Sequence, residues 1–264
     1  MQIKMSKLSG LKGILFDLDG VLYVGSKVID GAVNAVSQVK NLGYRCRFIT
    51  NTSTLSNASI HAKLITMGFD IDVNEIISAP RAALIYLQQF SDPVCHLLLA
   101  DDVKRDFEQF RQSDNEADFV IVGDIGDAWS YALLNQVFNL LLNGAQLIAI
   151  HKNRFWQTEQ GLQMDIGGFI TALEYVSQKQ AKIIGKPSPD FFKSALVEMG
   201  LTSDQVAIIG DDIDSDIGGG QKAGLAGILV QTGKYRQNYT DNSSVKPDLL
   251  LASIADLPGV LPKL

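Results

Sequence analysis

Short apolar runs alternate with amphipathic segments along the chain, and the two kinds of segment differ in the spacing of their apolar residues. The runs have the length of fully buried strands, whereas the amphipathic segments place apolar residues three or four positions apart, as on one helix face. The runs predict strands at residues 13–19, 45–51, 76–78, 94–100, 119–123, 146–150, 181–185, 206–210 and 228–230. The amphipathic segments predict helices at residues 31–42, 56–67, 103–111, 130–142, 189–199 and 213–223. This alternation favours an α/β fold with parallel βαβ units over a sandwich or a helical bundle.

The run from Gly13 to Leu22 carries the strongest chemical signal. Asp17 and Asp19 end an apolar segment and are followed at once by Gly20. Residues two positions apart in an extended chain point the same way, and glycine permits a turn that other residues resist. Open α/β sheets bind ligands at the carboxyl ends of their strands. The two acids therefore indicate a ligand site, with a solvated strand end as the alternative interpretation.

Polar residues directly follow three more predicted strands. They are Thr50-Asn51-Thr52-Ser53, Gly185-Lys186-Pro187, and Gly210-Asp211-Asp212 with Asp214 and Asp216 beyond. In a parallel sheet these strand ends lie on one edge, so the four segments are expected to meet. A random set of polar residues would not follow four buried strands, and the shared placement therefore indicates an active site.

The charges of these residues indicate a metal. Asp17, Asp19 and Asp211 would bring up to three negative charges together, against one positive charge on Lys186. Two like charges about 4 Å apart repel by about 4 kcal/mol at an effective dielectric constant of 20. All the available ligands are oxygens, which favours a hard divalent ion, Mg²⁺ in particular. Carboxylates, magnesium, a lysine and hydroxyl groups are suited to phosphoryl transfer.

The composition is that of an enzyme with one or two domains: 264 residues, 46% hydrophobic and 20% charged. The net charge of -6 argues against a nucleic-acid partner, which requires a basic face. Apolar runs are too short for a membrane span, and the N-terminus does not resemble a signal peptide. Cys46 and Cys95 stand alone, and the histidines lack zinc-ligand spacing. We therefore expect a cytoplasmic protein without nucleic-acid or membrane partners.

Taken together, the four segments resemble the four motifs of the haloacid dehalogenase superfamily. Their order and spacing resemble its NagD-like phosphatases, which carry a C2-type α/β cap between the second and third motifs. The segments Gly185–Phe192, Gly210–Asp212, Gly218–Gly219 and Thr232–Tyr235 strengthen the resemblance, which covers nearly the whole chain. It implies a Rossmann-like parallel-sheet core at residues 1–79 and 181–264, with the cap inserted at residues 80–180.

The resemblance also implies catalytic roles. Asp17 would be the nucleophile that forms an aspartyl-phosphate. Asp19 would protonate the leaving oxygen and then activate water. Lys186 would neutralise charge on the transferring group and on Asp17. An acid at Asp19 favours a phosphatase over a dehalogenase, because the dehalogenases of the superfamily lack an acid there.

Further residues are implied as ligands of phosphate and metal. Phosphoryl oxygens would be held by Thr50, Asn51, Thr52, Ser53 and Lys186. Mg²⁺ would be held by Asp17, Asp211 and the backbone carbonyl of Asp19. Asp212 and Asp216 would orient the metal shell or Lys186, whereas Asp214 has no implied role.

The expected function is Mg²⁺-dependent hydrolysis of a small phosphorylated substrate, which could be a phosphomonoester, a phosphoamide or pyrophosphate. A phosphosugar mutase and a catalytically weak phospholigand-binding protein remain alternatives. A P-loop is excluded, because Gly227 and Gly233-Lys234 have the wrong spacing and Tyr235 replaces the required Ser or Thr. We expect residues 152–168 of the cap to influence substrate choice, and the cap to form a homodimer contact.

Overall fold

The apolar runs form two parallel sheets, which lie in two separate units of the chain. The computed structural model describes residues 8, 10–158 and 161–262, and it describes side chains outside residues 156–162. Part of the predicted specificity segment 152–168 therefore lies outside the described residues. One unit contains Met1–Thr50, His61–Ile77 and Lys186–Leu264, and the other contains Asn51–Ile60 and Ser78–Gly185. The predicted boundaries of core (1–79 and 181–264) and cap (80–180) stay a prediction.

Strands and helices alternate along most of the chain. The strands are β1 (Gly13–Asp17), β2 (Tyr23–Val24), β3 (Lys27–Val28), β4 (Arg45–Thr50), β5 (Ile76–Ser78), β6 (Val94–Leu98), β7 (Arg111–Gln112), β8 (Phe119–Val122), β9 (Gln146–Ala149), β10 (Phe155–Thr158), β11 (Gly161–Met164), β12 (Lys182–Ile183), β13 (Val206–Gly210), β14 (Ala226–Val230) and β15 (Leu249–Leu251). The α-helices are α1 (Ala32–Asn41), α2 (Asn57–Thr66), α3 (Ala79–Leu87), α4 (Asp101–Lys104), α5 (Tyr131–Leu142), α6 (Gly167–Ser177), α7 (Pro189–Met199), α8 (Gly219–Lys222), α9 (Gln237–Asn242) and α10 (Leu257–Val260).

The sheet of the first unit has the strand order β15-β14-β13-β1-β4-β5. Strand β1 pairs in parallel with both β13 and β4, and β13 pairs in parallel with β14. All five residues of β1 and all five of β13 are buried, as expected for central strands covered by helices on both faces. Because β1 and β13 are neighbours in register, the residues that follow them lie side by side.

The sheet of the second unit has the strand order β12-β9-β8-β6-β7, and each strand pairs with its neighbours in parallel. Its core includes apolar residues of α5 and α6, among them Val137, Leu140, Ile170 and Leu173. Both units are thus parallel sheets with packed helices, which confirms the predicted α/β class. Within the described residues, the longest apolar helices fall short of the length needed to cross a bilayer.

One predicted helix is wrong in extent, and another has the predicted extent but begins with a different helix type. The helix expected at residues 103–111 is the short α4 followed by a 3₁₀ turn at Arg105–Phe107, because Arg111–Gln112 instead pairs with β6 as strand β7. The helix expected at residues 213–223 begins as a π-helical turn, Ile213–Gly218, and continues as α8.

Glycines at the start of α8 permit close packing of the helix on the sheet. A Cβ atom added at Gly220 would lie 2.4 Å from Cγ2 of Ile208 in β13, and one at Gly219 would lie 2.8 Å from Cε2 of Phe192 in α7. These distances are shorter than real carbon contacts. Glycine at both positions therefore brings the helix onto the strand that leads into Asp211.

We predict that Gly220→Ala lowers the free energy of unfolding by about 1–3 kcal/mol, because the methyl group would overpack the contact with Ile208. Urea unfolding at neutral pH measures the change. Gly259→Ala is the matched control, since nothing lies within 4 Å of its added Cβ atom and the change is expected to be neutral or slightly stabilising. Equal stability of the two variants would contradict this account of α8.

Candidate active site

Asp17 is the last residue of the central strand β1, and its carboxylate forms an ion pair with Lys186. The carboxylate is buried, and its Oδ1 accepts a hydrogen bond from Nζ of Lys186 at 2.6 Å. The same ammonium group donates to Oδ1 of Asp216 at 2.7 Å. Burial lowers the pKa of Lys186, but the charges of Asp17 and Asp216 raise it by more, so the net shift is upward. Lys186 therefore stays charged and links two segments of the chain that are distant in sequence.

The π-helical turn after β13 directs Asp216 toward Lys186. The turn begins at Asp212, whose Oδ1 accepts hydrogen bonds from the backbone N–H groups of Asp214 and Ser215, both at 3.0 Å. The backbone N–H of Asp212 donates in turn to Oδ2 of Asp216 at 3.1 Å. Both oxygens of Asp216 thus accept hydrogen bonds. Burial and then the charge of Asp17 raise the pKa of Asp216 to about 6.

Asp211 occupies a space that only glycines leave open. Added Cβ atoms at Gly20 and Gly233 would lie 1.9 and 2.0 Å from its Oδ2, and both glycines have positive φ, at +88° and +56°. That oxygen accepts a hydrogen bond from the backbone N–H of Lys234 at 2.6 Å. Oδ1 of Asp211 is buried and has no hydrogen-bond partner among the described residues. Burial, followed by the charges of Asp17 and Asp216, raises the pKa of Asp211 well above its ordinary value.

The three carboxylates could hold a metal ion. Ligand atoms of Asp17, Asp211 and Asp216 all lie within 4.8 Å of one another. A buried carboxylate oxygen without a hydrogen-bond donor, such as Oδ1 of Asp211, is costly unless a cation meets it. The oxygen-only donor set fits a hard divalent ion. Because Lys186 and the backbone of Asp212 already occupy both oxygens of Asp216, the better ligands are Asp17 and Asp211.

The other predicted site residues are divided between the two units. Thr50 is buried at the end of β4, one residue beyond the partner of Asp17 in the sheet register. Asn51–Ser53 belong to the second unit, where Oγ of Ser53 accepts a hydrogen bond from the backbone N–H of Asp124 at 3.2 Å. Asp19 follows β1 and is exposed. Asp214 accepts a hydrogen bond from the hydroxyl of Tyr239 and does not join the carboxylate cluster.

A loop after β14 belongs to the site although the sequence predicts no role for its residues. The hydroxyl of Thr232 donates to the carbonyl oxygen of Gly20 at 2.5 Å, and the loop also supplies Gly233 and the N–H of Lys234 to Asp211. The pattern contains a signal for it, because Gln231-Thr232 directly follows a fifth apolar strand of the same sheet. Polar residues at every strand end of this edge are therefore candidates for the site.

Comparison with known families gives two matches. A model described as haloacid dehalogenase-like hydrolase matches residues 14–111, and one described as HAD-hydrolase-like matches residues 183–257. The matched segments contain Asp17, Asp19, Lys186, Asp211 and Asp216. The fold is thus that of a haloacid dehalogenase-like hydrolase.

Individual relatives support the same assignment. The chain is 37% identical over 262 residues to the phospholysine phosphohistidine inorganic pyrophosphate phosphatase of Bos taurus, with 97% of this chain and 96% of the relative covered. The chain therefore belongs to the haloacid dehalogenase-like hydrolase family, and the prediction of a phosphatase-type enzyme is confirmed.

Solved structures agree with this fold. The crystal structure of 4-nitrophenylphosphatase from Thermotoga maritima has a TM-score of 0.90 and 25% identity, with 97% of this chain and 99% of that chain covered. NagD from Escherichia coli K-12 has a TM-score of 0.85 and 23% identity, with 93% and 98% covered, which is a likeness of fold. The predicted resemblance to the NagD-like fold is confirmed.

We predict that Lys186→Met lowers the free energy of unfolding by about 3–5 kcal/mol, because it leaves buried carboxylates without their cation. Adding Asp216→Asn to this variant should recover about 1 kcal/mol or more, since one uncompensated charge is removed. Urea unfolding in EDTA at pH 7.5 measures both changes.

The control for this pair of variants is Lys193→Met, which breaks only an exposed ion pair with Asp190 and should cost less than about 1 kcal/mol. A double variant no more stable than Lys186→Met would show that charge imbalance does not govern the stability of the site.

Proposed function

We propose that the chain is a Mg²⁺-dependent phosphatase that hydrolyses a small phosphorylated substrate through an aspartyl-phosphate on Asp17. The observation that carries the proposal is the position of Asp17, buried at the end of a central strand with one oxygen bound to Lys186. Its second oxygen lies outside that ion pair and is the proposed nucleophile. A carboxylate held in one orientation reaches an in-line geometry without reorganising.

In the proposed first step, an oxygen of Asp17 attacks the phosphorus atom and the bond from phosphorus to the leaving group breaks. Asp19 gives its proton to the departing atom. In the second step, Asp19 takes a proton from water, and the resulting hydroxide attacks the phosphorus atom of the aspartyl-phosphate. Inorganic phosphate leaves and Asp17 is regenerated. The exposure of Asp19 supports this role, because the proton must reach both the leaving group and water.

Lys186 and the segment after β4 are the proposed phosphoryl-binding groups. The ammonium of Lys186 would face charge that spreads over the phosphoryl oxygens while keeping its bond to Asp17. The hydroxyl of Thr50 and the backbone of Asn51, Thr52 and Ser53 would donate hydrogen bonds to the remaining oxygens. The place of Thr50 beside β1 in the sheet register supports its part in this set.

The proposed Mg²⁺ ligands are the carboxylates of Asp17 and Asp211 and the backbone carbonyl of Asp19. When bound, the ion would neutralise negative charge on the phosphoryl oxygens and on the carboxylates. Asp216 is proposed to orient Lys186, because it accepts a hydrogen bond from that ammonium and another from the backbone of Asp212. Asp212 in turn holds the π-helical turn in place.

The proposed substrates are a phosphomonoester, a phosphoamide or pyrophosphate, and the name of the relative from Bos taurus supports the last two. Residues 80–180 are proposed as the cap that selects among them.

Large apolar side chains of the second unit are more than half exposed, including Tyr131, Met164 and Tyr175, and they support a homodimer contact through this unit. The buried free thiols of Cys46 and Cys95 support a cytoplasmic location. The acidic composition supports the absence of a nucleic-acid partner.

We predict that Asp17→Asn reduces Mg²⁺-dependent release of phosphate from 4-nitrophenyl phosphate below detection, because an amide cannot form the aspartyl-phosphate. Circular dichroism should show a folded protein. Asp70→Asn, which neutralises an exposed carboxylate, is the control and should retain full activity. Near-normal hydrolysis by Asp17→Asn would eliminate the proposed mechanism.

We predict that Mg²⁺ raises the thermal unfolding midpoint of the EDTA-treated protein, because the ion binds the folded carboxylate cluster. At 100 times its dissociation constant, the ion would stabilise the fold by about 2.7 kcal/mol. Asp211→Asn should lose this response, whereas Asp204→Asn, at an exposed position before β13, should keep it. An unchanged response in Asp211→Asn would place the ion elsewhere.

A further inference from the structure

Lys63 is a partly buried cation that packs against an aromatic ring. It lies in α2, and its Nζ is 3.9 Å from the centre of the Tyr23 ring in β2, a distance typical of a cation–π contact. Within the described part of the chain, this ammonium group makes no hydrogen bond or ion pair. Lys186, by contrast, donates hydrogen bonds to two carboxylates. An ammonium has three N–H donors, and those of Lys63 are open to a ligand.

Lys63 forms part of the wall of a groove in the first unit. The groove has a volume of about 750 Å³, within the range of small-molecule sites. It is broadly open to solvent and runs between the hairpin β2–β3 and the C-terminal half of α2. Its walls combine apolar surface, hydroxyl groups and one positive charge, and the residues are Gly25, Ser26, Val28, Ala62, Lys63, Thr66 and Met67.

Tyr23 connects Lys63, in the wall of the groove, to the proposed acid–base residue Asp19. Asp19 and Tyr23 are bridge partners, and the backbone N–H of Gly20 donates to the carbonyl oxygen of Tyr23 at 2.7 Å. Burial lowers the pKa of Lys63, and the negative charge of Asp19 opposes that shift, as expected of neighbouring groups. Asp19 faces the leaving group in the proposed mechanism. Lys63 therefore supplies a positive charge near the residue that would protonate the leaving group.

We propose that this groove is a subsite for the leaving group of the substrate, and that Lys63 binds an anionic substituent there, either a carboxylate or a second phosphate. The inference rests on the proposed phosphatase function and adds a substrate class to it. The apolar wall would accommodate the carbon chain between the two anionic groups, while Ser26 and Thr66 offer hydroxyl donors. Tyr23 holds the ammonium in place through its ring face and leaves the N–H groups free for the anion.

Two matched pairs of substrates test the subsite. In the carboxylate pair, 3-phosphoglycerate is compared with glycerol 3-phosphate, which has a hydroxymethyl group in place of the carboxylate. In the phosphate pair, propane-1,3-diol bisphosphate is compared with 3-hydroxypropyl phosphate. The measurement is kcat/KM for phosphate release with saturating Mg²⁺, and the selectivity is the ratio of the anionic to the neutral member. The pair with the larger ratio identifies the anion.

In the unaltered protein we expect a selectivity of about tenfold or more for at least one pair, chiefly through a lower KM. Lys63→Met keeps an apolar chain against Tyr23 and should bring the ratio near one, while Lys63→Arg should retain it. Ser26→Asp adds a negative charge to the hairpin wall of the groove and should also reduce the ratio. Lys27→Met removes a charge from an exposed position of β3 outside the groove and should leave the ratio unchanged.

A ratio near one in the unaltered protein, or an unchanged ratio in both Lys63→Met and Ser26→Asp, would overturn the subsite. A parallel loss on both members of each pair would assign Lys63 a packing role only and would also overturn it. Hydrolysis of 4-nitrophenyl phosphate by the unaltered protein tests the phosphatase function separately. Hydrolysis of this ester with no selectivity between the members of either substrate pair would overturn the subsite alone. Failure to hydrolyse any of the esters would overturn the proposed phosphatase function as well.

Discussion

The buried pairing of Lys186 with Asp17 and Asp216 is the interaction on which the rest of the site depends. A single ammonium bridges the end of β1 and the π-helical turn after β13, at 2.6 and 2.7 Å. Asp211 adds a third buried carboxylate to the same cluster, so the acidic charges outnumber the basic one. Such an excess is costly in a low-dielectric interior unless protons or a cation compensate it. The cluster is thus a place where a bound proton or cation would stabilise the folded chain.

The carboxylate cluster depends on glycines, because a side chain at these positions would collide with the carboxylates. Gly20 and Gly233 face Asp211 from two different loops, and a Cβ atom at Gly210 would lie 2.3 Å from that of Asp216. Three strand ends are therefore packed more closely than substituted residues would allow. Close packing brings the carboxylates within ligand distance of one another, and the same packing keeps water from screening their charges.

The chemistry of the first unit is divided between a buried part and an exposed part. Asp17, Lys186, Asp211 and Asp216 are buried and held by hydrogen bonds, which suits groups that must keep one geometry. Asp19 is exposed and interacts electrostatically with Lys63, which lines the groove. The proposed nucleophilic and metal-binding functions thus fall to the rigid interior. The exposed Asp19 and the partly buried Lys63 are proposed to carry out proton transfer and to contact the leaving group, which differs from one substrate to another.

Local patterns predict much of this molecule because several of its determinants are local. Continuous apolar runs identified the central strands β1 and β13, since a strand buried on both faces shows no alternation of polar and apolar residues. Ser188-Pro189 marked the beginning of α7, which extends over the predicted residues 189–199. The antiparallel pairs β2–β3 and β10–β11 were missed. Strands β2 and β3 have only two residues each, and β10 and β11 mix polar with apolar residues instead of forming an apolar run.

By itself, the sequence determined the α/β class and the strand ends that carry Asp17, Lys186 and Asp211, since these follow from the order of apolar and polar residues. Only the tertiary structure decided how these groups meet. The π-helical turn that directs Asp216 to Lys186 departs from the regular helix that the spacing favours. The hydrogen bonds from Thr232 to Gly20 and from Lys234 to Asp211 join loops that are far apart in the chain. Such contacts depend on packing across the sheet. The pattern along one segment marks a polar strand end, but it does not specify which loops will meet there.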